Sequence, residues 1–397
     1  MAEISGVPTA DINNVDGFFT TQGGSGITPN AMPAAGVNGT TLIGAASIPT
    51  NPNVTLDFNI SLTASETFTK IVVRRNDDNG ILALKADGTL WYNIGAGVSH
   101  TSWAVTDSTW RQYGTDTDWT DIAASTNVFT AVKGGALMFN GNGSYYQRGD
   151  GGTGATNSWI VTNNTLTWSK TSLGYYHGIA CTTSGEVYYS GYNWNYQTGQ
   201  GTTAGSTLIW TRDQFNITGV TAVSCGSYNS NRFIASGNIY ATGGNGLNAG
   251  GPLITVAGDI NGPLLQYNGG DIVFVSPPTY WNVFAINTSG QLMFAGAINT
   301  YSRPDNSTAA QQGAAGLGII DGGATGWTFY DSNQNTSGSE RPCVAIKNGQ
   351  LLVGGGANSY NLKQALGSPA STTTWVNVGS TGITTAGIGD KLLIASW

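Results

Sequence analysis

The apolar positions of this chain come in short runs, too brief for helices, that recur about every 50 residues with a Gly-bearing turn inside each unit. Leu82-Ala83-Leu84 is followed by Gly88 and then Leu90-Trp91. The same order returns as Thr130-Ala131-Val132, Gly135, Leu137-Met138 and as Ile179-Ala180-Cys181, Gly185, Val187-Tyr188. Further copies are Ile234-Ala235, Gly237, Ile239-Tyr240, then Phe284-Ala285-Ile286, Gly290, Leu292-Met293, then Val344-Ala345-Ile346, Gly349, Leu351-Leu352. A seventh, Leu393-Ile394-Ala395-Ser396-Trp397, stops after one strand. Repeats of this length built from strands predict a β-propeller.

The missing half of the seventh copy lies at the other end of the chain, where Asn38-Gly39-Thr40-Thr41-Leu42-Ile43-Gly44 has the order of Asp87-Gly88-Thr89-Leu90-Trp91-Tyr92. Joining the two ends gives one whole hairpin, and a ring needs such a clasp because an open sheet edge carries unpaired backbone groups. The predicted fold is therefore all-β: a seven-bladed β-propeller over residues 38–397, its last blade composite and closed by N- and C-terminal strands. Asn53–Leu62, alternating Val54, Leu56, Phe58, Ile60 and Leu62, is expected to add a strand to it. Residues 1–37 form a separate N-terminal arm and linker.

Gly174-Tyr175-Tyr176-His177-Gly178-Ile179-Ala180, then Gly185-Glu186-Val187-Tyr188-Tyr189-Ser190-Gly191-Tyr192-Asn193, then Gln197-Thr198-Gly199-Gln200-Gly201 resembles the repeat of the regulator of chromosome condensation family. Gly141, Gln147, Arg148, Gly149, Asp150 and Gly151 match the spacing of Gly191, Gln197, Thr198, Gly199, Gln200 and Gly201. The resemblance runs over roughly residues 67–397. It implies the seven-bladed ring, and it implies that His177 holds neighbouring blades together by bonding backbone. The nucleotide-exchange role of the founding members is not implied.

Composition changes the picture next. Charged residues are 9% of the chain, with 15 Lys and Arg against 22 Asp and Glu, whereas about 25% charged is usual. No basic stripe exists to displace phosphate counterions, so nucleic acid is not an expected partner. The N-terminus has neither a basic region nor a long apolar core, and no run reaches a membrane span, so neither a secretory signal nor membrane insertion is expected. Cys181, Cys225 and Cys343 lie in or beside three different inner strands and read as small buried apolar residues.

Catalytic chemistry is thin. His100 and His177 belong to different blades, so no His-based triad or metal cage is expected. Glu3, Glu66, Glu186 and Glu340 are scattered. Asp150 and Asp213 are the carboxylates one would try as a glycosidase pair. Asn76-Asp77-Asp78-Asn79-Gly80 lacks the ligand spacing of a calcium loop. No catalytic residue, metal or cofactor is assigned.

The aromatics divide into two groups. Trp119, Trp168, Trp327 and Trp375 are expected to open blades as core. Tyr145, Tyr146, Tyr192, Trp194 and Tyr196 fall in the loops after the second strand of each repeat in adjacent blades two and three, among Asn, Gln, Thr and Gly. Ring faces beside amides and hydroxyls suit a neutral sugar, and they suit a protein contact equally. Arg148-Gly149-Asp150 spells an integrin-type tripeptide at a place where the repeat itself demands the Gly.

The arm carries Ile4, Val7, Ile12, Val15, Phe18 and Phe19, too few apolar residues for a core of their own and suited to docking on an assembly. Ile4-Ser5-Gly6-Val7 through Asp16-Gly17-Phe18-Phe19 resembles segments near the N-termini of tailed-phage virion proteins. The functional expectation is a non-enzymatic structural protein of a bacteriophage virion. It would be a homo-oligomeric propeller displayed on a tail, baseplate or fibre, held to other virion proteins by its arm, with host-surface glycan recognition. Capsid decoration or a head fibre, an intracellular propeller scaffold binding a protein partner, and a tail-associated polysaccharide depolymerase are the alternatives.

Overall fold

The computed structural model describes residues 40–45, 68–74, 80–94, 110–203, 205–226, 230–244, 260–278, 282–296, 304, 317–332, 343–354, 375–377, 382–388 and 392–396. Six four-stranded antiparallel sheets follow one another along the chain, each a meander hydrogen-bonded in sequence order. Blade one is Phe68–Val73, Gly80–Lys85, Leu90–Ile94 and Arg111–Gln112; blade two is Trp119–Ser125, Val128–Lys133, Ala136–Gly141 and Thr156–Asn163. Blade three comprises Trp168–Leu173, His177–Thr182, Val187–Gly191 and Thr207–Arg212, and blade four Val220–Cys225, Ser230–Ala235, Asn238–Gly243 and Ile260–Tyr267. Ile272–Val275, Asn282–Asn287, Leu292–Gly296 and Gly318–Ile319 make blade five; Trp327–Ser332, Cys343–Lys347, Gln350–Gly354 and Val376–Asn377 make blade six.

The expectation of seven blades is corrected to these six. In the remaining position the chain ends form a smaller, three-stranded sheet. Thr40–Ala45 pairs antiparallel with Leu392–Ser396, which pairs with Thr385–Ile388. Thr40 stands opposite Ser396 and Thr41 opposite Ala395. The expected strand Asn53–Leu62 lies outside the described residues, as do Ile4, Val7, Ile12, Val15, Phe18 and Phe19 of the arm. Among the described residues no helix is long and apolar enough to cross a membrane.

The first strand of each blade lines a central cavity of about 180 Å³, together with Thr385 and Ile388 of the terminal sheet. Each of these six inner strands has a β-bulge at its start, as between Trp119 and Asp121 or Trp168 and Lys170. A bulge sharpens the local twist, which an inner strand needs at the crowded axis.

Alternate residues of one strand serve two different cores. Ile81 and Ala83 join Phe68, Ile71 and Val73, whereas Leu82 and Leu84 face blade two and pack with Trp119, Ile122 and Phe129. Comparable cores join blades two to three, three to four, four to five and five to six. A strand buried on both faces must be apolar at every position, which is why the repeat reads as a continuous run. Trp119, Trp168 and Trp327 open their inner strands and are buried, as expected. Trp375 does not open a blade. It precedes the outermost strand of blade six and packs at 6.1 Å from Tyr330.

The repeat glycines join consecutive sheets by backbone. The carbonyls of Gly88, Gly135, Gly185, Gly237, Gly290 and Gly349 accept the N–H of Trp119, Trp168, Val220, Ile272, Trp327 and Ile383 at 2.8–3.1 Å. Every one of these glycines has positive φ, which closes the hairpin and aims the carbonyl outward. A Cβ at Gly88 would stand 2.0 Å from the carbonyl oxygen of Thr117, and one at Gly237 would stand 2.3 Å from that of Gly270.

Gly237→Ala should lower unfolding free energy by more than about 2 kcal/mol in urea titration, because clash adds to left-handed strain. Gly114→Ala, at φ 63° with open space around it, should cost about 1 kcal/mol. Deleting residues 383–397 should abolish the cooperative melting transition of the ring, since it removes two of the three terminal strands. An unchanged transition in calorimetry would show that the terminal sheet does not close the ring.

Candidate functional site

Strand order gives the ring two unlike sides. Turns between second and third strands, and the blade-to-blade connections, lie on one side; loops between first and second, and between third and fourth, lie on the other. The hairpin side collects the charge. Lys133 pairs with Asp116 at 3.4 Å and Asp118 at 3.3 Å, Arg212 with Glu186 at 2.7 Å, and Lys347 with Asp321 at 2.6 Å. Lys85, Lys133 and Lys347 also lie over Trp91, Trp119 and Trp327. On the loop side the solvent-facing charges among the described residues are Arg148 and Asp150, which pair at 2.6 Å, and the half-buried Asp331.

The loops after the third strands of blades two and three repeat one structure. Tyr146 and Tyr196 take the same left-handed backbone, at φ 63° and 59°, and the N–H groups of Gly149 and Gly199 bond their carbonyls. Oε1 of Gln147 accepts the N–H of Tyr145, and Oε1 of Gln197 accepts that of Asn195. Each loop then docks on the next blade: Ser190 Oγ donates to the Gln147 carbonyl at 3.2 Å, and Thr242 Oγ1 to that of Gln197 at 3.3 Å. Gln147 Nε2 reaches the Tyr175 carbonyl at 3.1 Å, so the blade-two loop lies against the first loop of blade three.

That docking gathers aromatic rings. Tyr145 stands 4.3 Å from Tyr176 and 6.3 Å from Tyr192, each edge to face. Tyr176 lies 5.6 Å from Tyr192 and 4.3 Å from Tyr175. Trp194 stacks on Tyr192 at 5.0 Å with an interplanar angle of 25°. The strip is open to solvent, with Trp194 65% and Tyr145 42% exposed. The structure thus brings together Tyr145, Tyr192 and Trp194 of the sequence-predicted set. Tyr146 and Tyr196 serve the turns. Tyr175 and Tyr176 complete the strip although neither belonged to that set; a doubled Tyr directly before the repeat His was the available signal.

Other candidates resolve into structure. His177 is buried and links blades three and four, as its Nε2 lies 3.0 Å from Asn231 Oδ1. Asn231 Nδ2 donates to the Gln197 carbonyl at 2.7 Å and to Thr242 Oγ1 at 3.2 Å, so Oδ1 is the acceptor and Nε2 carries the proton. Cys181, Cys225 and Cys343 are buried free thiols, and burial, with a smaller push from Asp121, raises the Cys181 thiol to about 12. His100, Glu3, Glu66, Glu340 and residues 76–79 lie outside the described residues.

Asp150 and Asp213 are each committed to a turn. Burial pulls the Asp150 carboxyl upward, but Arg148 and the N–H of Gly152 outweigh it and hold it below the ordinary value. Asp213 is raised by burial, against the N–H bonds it accepts from Ile217 and Phe215. The tripeptide at 148–150 is closed on itself, since Arg148 bonds Asp150 and the Gly154 carbonyl. Its Gly149 carbonyl accepts the Trp210 N–H at 3.0 Å, which covers the edge of blade three. Among the described residues no three His, Cys, Asp or Glu side chains gather as a metal set.

No protein-family model and no curated protein matches the sequence. Solved structures do. The chain is similar to human WBSCR16, with a TM-score of 0.67 at 14% identity over 90% of this chain and 98% of that one. It is similar to yeast RCC1 (Prp20) bound to Kap60, at 0.63 and 14% identity over 82% and 79%. Prp20p from Saccharomyces cerevisiae gives 0.61 at 15% identity over 82% and 81%. At such identity the likeness is one of fold, and it supports the RCC1-like propeller.

Asn231→Leu leaves the His177 Nε2–H without its acceptor and removes two donors from the loop behind it. It should cost roughly 2–4 kcal/mol in urea unfolding, with the ring still assembled. A loss below about 0.5 kcal/mol would show that this link does not hold blades three and four.

Proposed function

We propose that this chain is a non-catalytic binding propeller, held in place by protein neighbours, that presents the loop side of blades two and three to a partner. The observation that carries this reading is the strip Tyr145, Tyr176, Tyr192 and Trp194, in which Tyr145 and Trp194 are exposed and the half-buried Tyr176 and Tyr192 back them. Exposed aromatics in contiguous array are what a binding surface uses, and a ring closed by backbone bonds holds them rigidly. No reaction is proposed, because Asp150 and Asp213 are each held in separate structural roles.

Two settings fit. In the first the propeller is a scaffold or regulator that holds a protein partner inside a cell. Propellers of this shape that bind proteins support it: yeast RCC1 (Prp20) binds Kap60, and Prp20p binds Gsp1p and histones. In the second it is a structural component of a phage particle, on a tail, baseplate, fibre or capsid. The opening segment 4–19 and the 9% charged composition favour that setting, and Ile4, Val7, Ile12, Val15, Phe18 and Phe19 would be its assembly contact.

Removing residues 1–37 separates the settings. For a virion component the shortened chain should melt within about 2 °C of the full chain yet be missing from purified particles, as read by immunoblot. For an intracellular scaffold no particle should carry the full chain, and its partner should co-purify with both forms.

A further inference from the structure

We propose that the strip Tyr145–Tyr176–Tyr192–Trp194 is a subsite for a neutral oligosaccharide. The inference rests on the reading of this side as the contact surface, and it names the chemistry of what lands there. Trp194 presents a flat ring, 65% exposed and backed by Tyr192 at 5.0 Å, so the indole is held in one plane before any ligand arrives. Tyr145, packed edge to face on Tyr176, adds a second exposed ring along the strip. The C–H faces of a sugar ring stack on such surfaces, and consecutive sugars of a chain would meet successive rings.

The surroundings choose among ligands. Around the strip the neighbouring polar groups are neutral: the exposed Ser144 beside Tyr145, the half-buried Asn195 beside Trp194, and the exposed Thr202, whose carbonyl Asn193 Nδ2 holds at 2.7 Å. Hydroxyls and amides answer sugar hydroxyls in both donor and acceptor roles. Among the described residues beside the strip the solvent-facing cation is Arg148, which is spent on Asp150 at 2.6 Å, so an anionic chain gains little there. A protein partner would want a broader apolar centre. The exposed aliphatics of these two blades, Val161, Leu208 and Ile209, lie in their outermost strands.

The test is titration of the full-length protein with maltohexaose, cellohexaose, mannohexaose and chitohexaose. Heparin and polygalacturonate serve as anionic probes, and tryptophan fluorescence and calorimetry as readouts. At least one neutral hexamer should bind, with affinity insensitive to salt. Trp194→Ala should weaken it by at least about tenfold without moving the melting temperature, and Trp194→Tyr should recover most of the loss. Binding of the anionic probes alone, no neutral hexamer bound at millimolar concentration, or undiminished binding by Trp194→Ala would overturn the proposal. If Trp194→Ala releases a protein partner while no neutral hexamer binds, the contact surface stands and its assignment to sugar falls.

Discussion

One hydrogen bond repeated around the ring carries the architecture: the carbonyl of each hairpin glycine accepts the N–H of the residue that opens the next sheet. A side-chain bond in that place would tolerate drift between blades, but a backbone bond ties the geometry of one hairpin to the start of its neighbour. The bond needs a left-handed residue at the turn, and the next connection approaches so closely that a side chain has no room, as at Gly88 and Gly237. The glycine is fixed twice over, by conformation and by space. The two-sided cores then fill the gap that the bond sets, with Trp119, Trp168 and Trp327 directly behind the N–H groups that are held.

This is why the fold was legible. Gly88, Gly135, Gly185, Gly237, Gly290 and Gly349 stand out in the chain because each turn needs a positive φ that glycine adopts most readily, and the apolar runs beside them are unbroken because both faces are covered. The pairing of the two chain ends was legible for the same reason, as half a repeat at each end. The number of full blades was not. Counting apolar starts gives seven, but a start is one strand. At the seventh position the described strands are Thr385–Ile388, Leu392–Ser396 and Thr40–Ala45, a sheet of three.

The candidate site was legible only in part, because it is made between repeats. Tyr145, Tyr192 and Trp194 stand out as aromatics in loops. Tyr176 sits in a different loop of the ring, directly before a strand, and becomes part of the strip only because the blade-two loop leans onto blade three through Gln147 and Ser190. The partner of His177 was hidden for a related reason. Asn231 is an ordinary position of the second strand in its own repeat, and its role appears only when blade four is set against blade three. Periodicity reports what each repeat does alike and is silent on what two repeats do together.

The low charge of the chain takes on a direction once the two sides are distinguished. A ring of nearly 400 residues with 9% charge would be poorly served by scattering those charges evenly. Among the described residues, ion pairs cluster where hairpins and blade connections crowd together, as Lys–Asp and Arg–Glu pairs, three of the lysines also lying over tryptophans. There they neutralise one another and add little net stability. Among the described residues, the loop side around the aromatic strip carries neutral amides, hydroxyls and rings beside the Arg148–Asp150 pair. A paired, nearly neutral patch of that kind steers little at long range. Whatever it holds must be recognised at contact, by shape and by short hydrogen bonds. A rigid ring suits that mode, since ring faces fixed in advance lose little entropy when a partner arrives.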